Sequence, residues 1–184
     1  FNGTTSYPGL AAGTYTVTVR DANGCTFTTN TTINNIGGPS AVVLTPVNSN
    51  CGAATGSFTI GAVTGGTGAI SYSVNGSGFT ATTSYTGLAA GTYTVVVRDA
   101  NNCTFTSTTV VGNNAGPTAM VLTPVDATCG TANGSFTIGA VTGGGGTNVY
   151  SVNGSAFTAT TSYTGLAPNT YTVVVRDVNN CTFT

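Results

Sequence analysis

One motif is written three times along this chain at a fixed interval of about 78 residues, and a period of this size predicts an array of small, nearly identical units. Gly13-Thr14-Tyr15-Thr16-Val17-Thr18-Val19-Arg20-Asp21-Ala22-Asn23-Gly24-Cys25 returns as Gly91 to Cys103, and again, headed by Pro168-Asn169, as Thr170 to Cys181. Cys51 and Cys129 are separated by the same interval. The register divides the chain into a partial unit over 1–37 that holds C-terminal strands only, a complete unit over 38–115 and a nearly complete one over 116–184. Phe1 aligns with Phe79 and Phe157, so the numbering starts within a unit, and the expectation is a window on a longer secreted polypeptide.

Side-chain chemistry narrows the function sharply. The formal charge is −1, only 4% of residues are charged, and Lys, Glu, Gln, His and Trp are absent from all 184 positions. Ser, Thr and Cys are present as potential nucleophiles, but no His or Lys stands ready to activate them, so the chain is not expected to be an enzyme. Nor is there a cationic surface to neutralise phosphates, which argues against a nucleic-acid partner. No catalytic, cofactor-binding or metal-ligating residue is assigned and no cofactor is expected. Asp99 with Asn101 falls short of a calcium loop, since calcium takes six to eight oxygens and usually several carboxylates. No apolar run approaches the roughly 18 to 20 residues needed to span a bilayer as a helix.

The remaining residues favour strands. Thr, Val, Tyr, Phe and Ile recur in alternating runs between Gly, Asn and Pro, while strong helix formers are scarce. In the complete unit, Val42-Val43-Leu44 reads as a first strand, and Ser57 to Val63 reads as a second that ends at Gly65-Gly66. Ile70, Tyr72 and Val74 alternate with serines up to Asn75-Gly76, a strong hairpin signal. Phe79 to Leu88 holds one strand or two short ones. Tyr93, Val95 and Val97 alternate into a central strand, and the last begins at Cys103. Asp99-Ala100-Asn101-Asn102 between these two strands predicts a tight turn in which Asp99 accepts from turn amides and Asn102 takes a positive φ. Asp177 and Asn180 have the same roles, and Gly24 stands where the first copy needs positive φ.

Six or seven short strands per period, with turns roughly every 8 to 12 residues, predict an all-β fold of tandem immunoglobulin-like β-sandwich repeats. Tyr93 and Tyr171, each entering a strand just after a turn, are placed to bond back to the connection as a tyrosine corner. Gly37-Gly38-Pro39 and Ala115-Gly116-Pro117 are short linkers that would hold neighbouring units in a semi-rigid string.

Two cysteines per period point to an oxidising, extracellular setting. Two pairings are open. Cys51 with Cys103 and Cys129 with Cys181 would close each unit on itself; Cys25 with Cys51 and Cys103 with Cys129 would clamp consecutive units across the linker. The first needs an even number of full-length strands between its partners, which holds if Phe79 to Leu88 is a single strand.

Gly87-Leu88-Ala89-Ala90-Gly91-Thr92-Tyr93-Thr94-Val95, followed by Arg98-Asp99-Ala100-Asn101-Asn102-Cys103-Thr104, resembles the SprB-type repeat of gliding-motility adhesins and other giant surface proteins of Bacteroidota. A Cys shortly before a Gly-Ser-Phe strand and a following Val-Thr-Gly-Gly extend the resemblance over Cys51 to Gly66 and Cys129 to Gly144. It implies export by the type IX route, display at the cell surface, and adhesion or the building of long filaments. Ser73 and Ser151 stand where that family often has Trp, so no ligand role of the aromatic carries over.

The functional expectation is an extended, disulfide-stabilised stalk in a cell-surface adhesin or extracellular filament, its partners further copies of the repeat joined end to end or side by side. Val96 and Val174, in the outward position held by Thr18, offer an apolar spot for lateral contact. The alternative is a module that binds surface polysaccharide through Thr-x-Thr faces and Tyr72, Tyr85 and Tyr93.

Overall fold

The computed structural model describes all 184 residues, and every regular element in it is a strand. No helix is long and apolar enough to cross a membrane. An N-terminal hairpin joins β1 (Gly13–Arg20) to β2 (Thr26–Ile33), antiparallel along all eight residues of each. The central region carries β3 (Pro39–Val47), β4 (Ser49–Asn50), β5 (Gly56–Gly65), β6 (Ser71–Val74), β7 (Ser84–Leu88), β8 (Gly91–Arg98), β9 (Thr104–Val111) and β10 (Asn113–Asn114). The C-terminal region carries β11 (Pro117–Val125), β12 (Gly134–Gly143), β13 (Val149–Val152), β14 (Ser162–Leu166), β15 (Val173–Arg176) and β16 (Thr182–Phe183).

In each of these two regions a pair of three-stranded sheets closes on one apolar core, an arrangement consistent with a β-sandwich. Sheets β3-β5-β7 and β6-β8-β9 bury Phe58, Ile60, Tyr72, Val95, Val97 and Val111 between them. Sheets β11-β12-β14 and β13-β15-β16 do the same with Phe136, Ile138, Tyr150, Val173 and Val175. The cause is visible in β8, where Val95 and Val97 point inward while Thr94 and Val96 are half-buried on the other face, the two-residue period of a pleated strand. Val96 and Val174 are therefore partly covered rather than freely exposed.

The inward alternation of β5 breaks after Ile60, and the pairing explains it. The register between β3 and β5 slips between Val42 and Leu44, a bulge that turns Val43 out to 55% exposure. A Cβ on Gly61 would stand 3.3 Å from that of Val43, which is why the facing position has no side chain.

The Asn75-Gly76 turn forms with both residues at positive φ, 49° and 78°. It does not lead into a full hairpin: the returning chain makes one antiparallel bridge, Tyr72 with Thr80, and then crosses to the opposite sheet as β7. Phe79 to Leu88 thus holds one regular strand, and it is short.

Candidate functional site at the junction of the sheet pairs

Each sheet pair has two poles, and strand length fixes which cysteine lies at which. Cys103 sits beside Gly38, where β3 begins, since a Cβ on Gly38 would come within 2.6 Å of the Cys103 Cβ. Cys51 follows β3 at its other end. Nine extended residues separate the poles by about 30 Å, so Cys51 and Cys103 cannot bond. The strand-parity expectation fails because β6 has four residues and β7 five, so that together they make one traverse of the sandwich instead of two. Three traverses, an odd number, leave the two cysteines at opposite ends.

The bond that forms is Cys51 with Cys181, 130 residues apart in sequence and 5.2 Å apart between Cα atoms. Both pairings expected from sequence are thereby corrected: Cys103 is not joined to Cys51, Cys129 is not joined to Cys181 or Cys103, and Cys25, Cys103 and Cys129 carry free thiols. The far pole of the central pair meets the near pole of the C-terminal pair at the linker. The cystine spans the two there.

Every neighbouring group serves this junction. Cys51 and Gly52 both have positive φ, 57° and 71°, and Ala53 N–H donates to Asn50 O, so the half-cystine occupies the centre of a tight left-handed turn. A non-glycine residue there is strained by about 1 kcal/mol, and the turn holds the sulfur at the surface of the pole. Cys51 N–H donates to Asn114 O at 3.0 Å, and Cys181 Sγ lies 3.8 Å from the same carbonyl. Gly116 must lack a side chain, because its Cβ would stand 2.5 Å from that of Cys181.

Asparagine amides close the gap around the cystine. Asn48 Nδ2 donates to Asn114 Oδ1, Asn114 Nδ2 to Asn50 Oδ1, Gly52 N–H to Asn113 Oδ1 and Gly112 N–H to Asn48 Oδ1. Ser49 N–H donates to Gly112 O, and β4 pairs with β10 in parallel. None of these residues was marked from sequence. The available signal was two runs, Asn48-Ser49-Asn50 and Gly112-Asn113-Asn114, that flank cysteine and linker.

The hairpin bearing Cys181 is built by Asp177, as expected. Asp177 Oδ1 accepts from the amides of Asn179 and Cys181, each at 2.9 Å, and Oδ2 accepts from Gly145 at 3.0 Å. Asp99 repeats this with Asn101, Cys103 and Thr67. Asn102 and Asn180 take φ of 63° and 62°, and Gly24 takes 84° at the matching position. Burial pushes the Asp177 carboxyl up, but the N–H donors of Gly145, Cys181 and Asn179 outweigh it and its pKa lies below the ordinary value of 3.8. With a depressed folded pKa the stabilisation is complete above about pH 4 and fades as pH falls further. Denaturant titrations should show the C-terminal pair losing stability below about pH 4 more steeply in the parent chain than in Asp177→Asn. Parallel acid profiles for the two proteins would contradict this.

Tyr93 Oη donates to Ala89 O at 2.9 Å and Tyr171 Oη to Ala167 O at 3.0 Å, the bond back to the connection that a tyrosine corner makes. Their rings lean on Phe58 and Phe136, at centroid distances of 5.7 and 6.0 Å. Tyr85 stacks on Phe58 at 5.0 Å, and Tyr72 is buried. These tyrosines belong to the core and do not line an outer platform. Arg98 lies 3.8 Å over the Phe79 ring, with Arg20 over Phe1 and Arg176 over Phe157 in the same manner.

A cavity of about 430 Å³ in the C-terminal pair is lined by residues that include Val125, Ala127, Gly134, Phe136, Leu166 and Tyr171. No protein-family model matches the chain, and no curated protein is significantly similar to it.

Proposed function

We propose that the chain is part of an extracellular stalk or filament: tandem immunoglobulin-like β-sandwich units, one per period of the sequence with boundaries at 38–115 and 116–184, that bear load and perform no chemistry. The observation that carries this reading is the Cys51–Cys181 bond, which runs from one sheet pair to the next instead of closing either on itself. A cystine across a junction fixes the angle and spacing of neighbouring units, which matters to a rod. A small cystine-bearing all-β chain suits the outside of a cell, where disulfides persist.

The SprB-type resemblance supports an origin among surface proteins of Bacteroidota exported by the type IX route, with adhesion or filament building as the task. The partner is then further repeat, end to end. Low charge, with each arginine stacked on a phenylalanine, makes such contacts insensitive to salt. Electron microscopy of the native material tests the proposal. Strands of nine and ten residues predict an unbranched rod with an axial repeat of no less than about 30 Å. Globular particles, or a much shorter repeat, would sink it.

A further inference from the structure

We infer that the outer face of the β6-β8-β9 sheet is a binding site for a carboxylate-bearing polysaccharide, anchored by Arg98 and repeated once per period of the chain. The inference goes beyond the stalk reading, since it gives the side of the rod a ligand.

Three observations carry it. The first is where charge is placed. Three arginines are the only cationic side chains in 184 residues, set against four aspartates. Three of those aspartates are engaged inside their own hairpins. Asp21 accepts from Asn23 and Cys25, while Asp99 and Asp177, each 3% exposed, accept from three amides apiece. Arg98 precedes Asp99 in the chain but alternates with the buried Val97, so its side chain stands on the outward face of β8 while the carboxylate turns into the hairpin. Asp126 follows β11 at the end away from Gly116 and Cys181, whereas Arg176 pairs with Thr182 next to that cysteine. The complete period therefore buries its negative charge and presents its positive one.

The second is how the cation is held. Arg98 Cζ lies 3.8 Å from the centre of the Phe79 ring, and the contact recurs at 4.0 Å between Arg176 and Phe157 and at 4.2 Å between Arg20 and Phe1. Cation–π attraction fixes the guanidinium and lowers the rotamer entropy that binding would otherwise remove. The ring takes none of the five N–H donors. The fork stays free for a carboxylate, which it matches with two parallel hydrogen bonds.

The third is the surface beside it. Thr104 is the cross-strand partner of Arg98, and Thr106 and Thr108 continue from it along the same face of β9, all three exposed. Alternate residues of a strand stand about 6.5 to 7 Å apart, so a row of hydroxyls about 13 Å long leads away from the cation. Thr26 and Thr28 have the same places beside Arg20, and Thr182 lies opposite Arg176. Threonine hydroxyls both donate and accept, as sugar hydroxyls do. A carboxylate and hydroxyls side by side are what a uronic acid polymer presents. Duplex nucleic acid fits poorly, because it carries a charge about every 1.7 Å and the face offers a single cation. With one site per period, a long polymer engages several units at once and gains avidity from each.

Polygalacturonate is the probe. The full chain should bind it saturably in titration calorimetry at low salt, and more weakly as salt rises. The fully methyl-esterified polymer keeps its hydroxyls and loses its charge, and it should bind at least roughly tenfold more weakly for want of the charge-assisted contact. Arg20→Gln, Arg98→Gln and Arg176→Gln together should weaken binding of the acid to a similar degree and leave binding of the ester unchanged. Lysine at the same three positions should give an intermediate affinity, because a point charge does not match the fork. Unfolding midpoints report whether the variants keep their fold, and the comparison of acid with ester on the parent chain needs no variant. No binding by the parent, equal binding of acid and ester, or an undiminished affinity in the glutamine variant overturns the site. Equal affinity for duplex DNA overturns it too, by reducing it to a nonspecific cation. None of these results would alter the rod seen in the microscope, so the site and the stalk stand or fall separately.

Discussion

Stretched from end to end in a single-molecule experiment, the oxidised chain should release about 450 Å less contour length than the reduced one. The bond between Cys51 and Cys181 diverts tension past 130 residues of backbone, and an extended chain spans about 3.3 to 3.6 Å per residue. The six buried residues of the central core and nearly all of the C-terminal pair therefore lie off the line of force while the cystine holds, whereas β3, ahead of Cys51, remains on it. Cys51→Ser should behave as the reduced parent does. Equal release in the oxidised and reduced proteins would show that the cross-junction bond is absent. The same bond also closes a loop long enough to remove unfolded-state entropy worth about 5 kcal/mol in the chain-entropy model. That is as large as the whole stability of many small domains.

The second large effect lies in the cores. Phe58→Ala should destabilise the central pair by about 3 to 5 kcal/mol, read as a fall in the denaturation midpoint. Phe58 has no exposed surface and packs against the rings of both Tyr85 and Tyr93. Phe136→Ala, chemically the same change, should cost less, because Phe136 is 7% exposed and already borders a cavity. Identical losses at both sites would mean that the two phenylalanines are equally enclosed in solution.

Much of this molecule can be read from its residues one strand at a time, and the reading stops where distance is needed. The alternation in Tyr93-Thr94-Val95-Val96-Val97 marks the buried strand, and Asp99 four residues before Cys103 marks the hairpin, because both signals are local in the chain. The all-β class follows from them. The cystine did not follow, because it depends on how far each strand climbs. Four residues in β6 and five in β7 halve two traverses into one, and nothing in Ser71 to Val74 announces that the chain will leave its sheet after a single bridge at Thr80. The asparagines at the junction were invisible for a related reason. Asn48 and Asn114 are 66 positions apart, and either alone reads as an ordinary loop residue.

A covalent bridge spanning most of a chain also changes what damage does to it. An enzyme that severs one peptide bond anywhere between Gly52 and Asn180 opens a ring, and the two fragments remain held by sulfur. In surroundings rich in hydrolases such a chain tolerates cleavage inside the ring: a second cut there frees only the segment between the two, and the ends part where a reductant opens the cystine or a cut falls outside it.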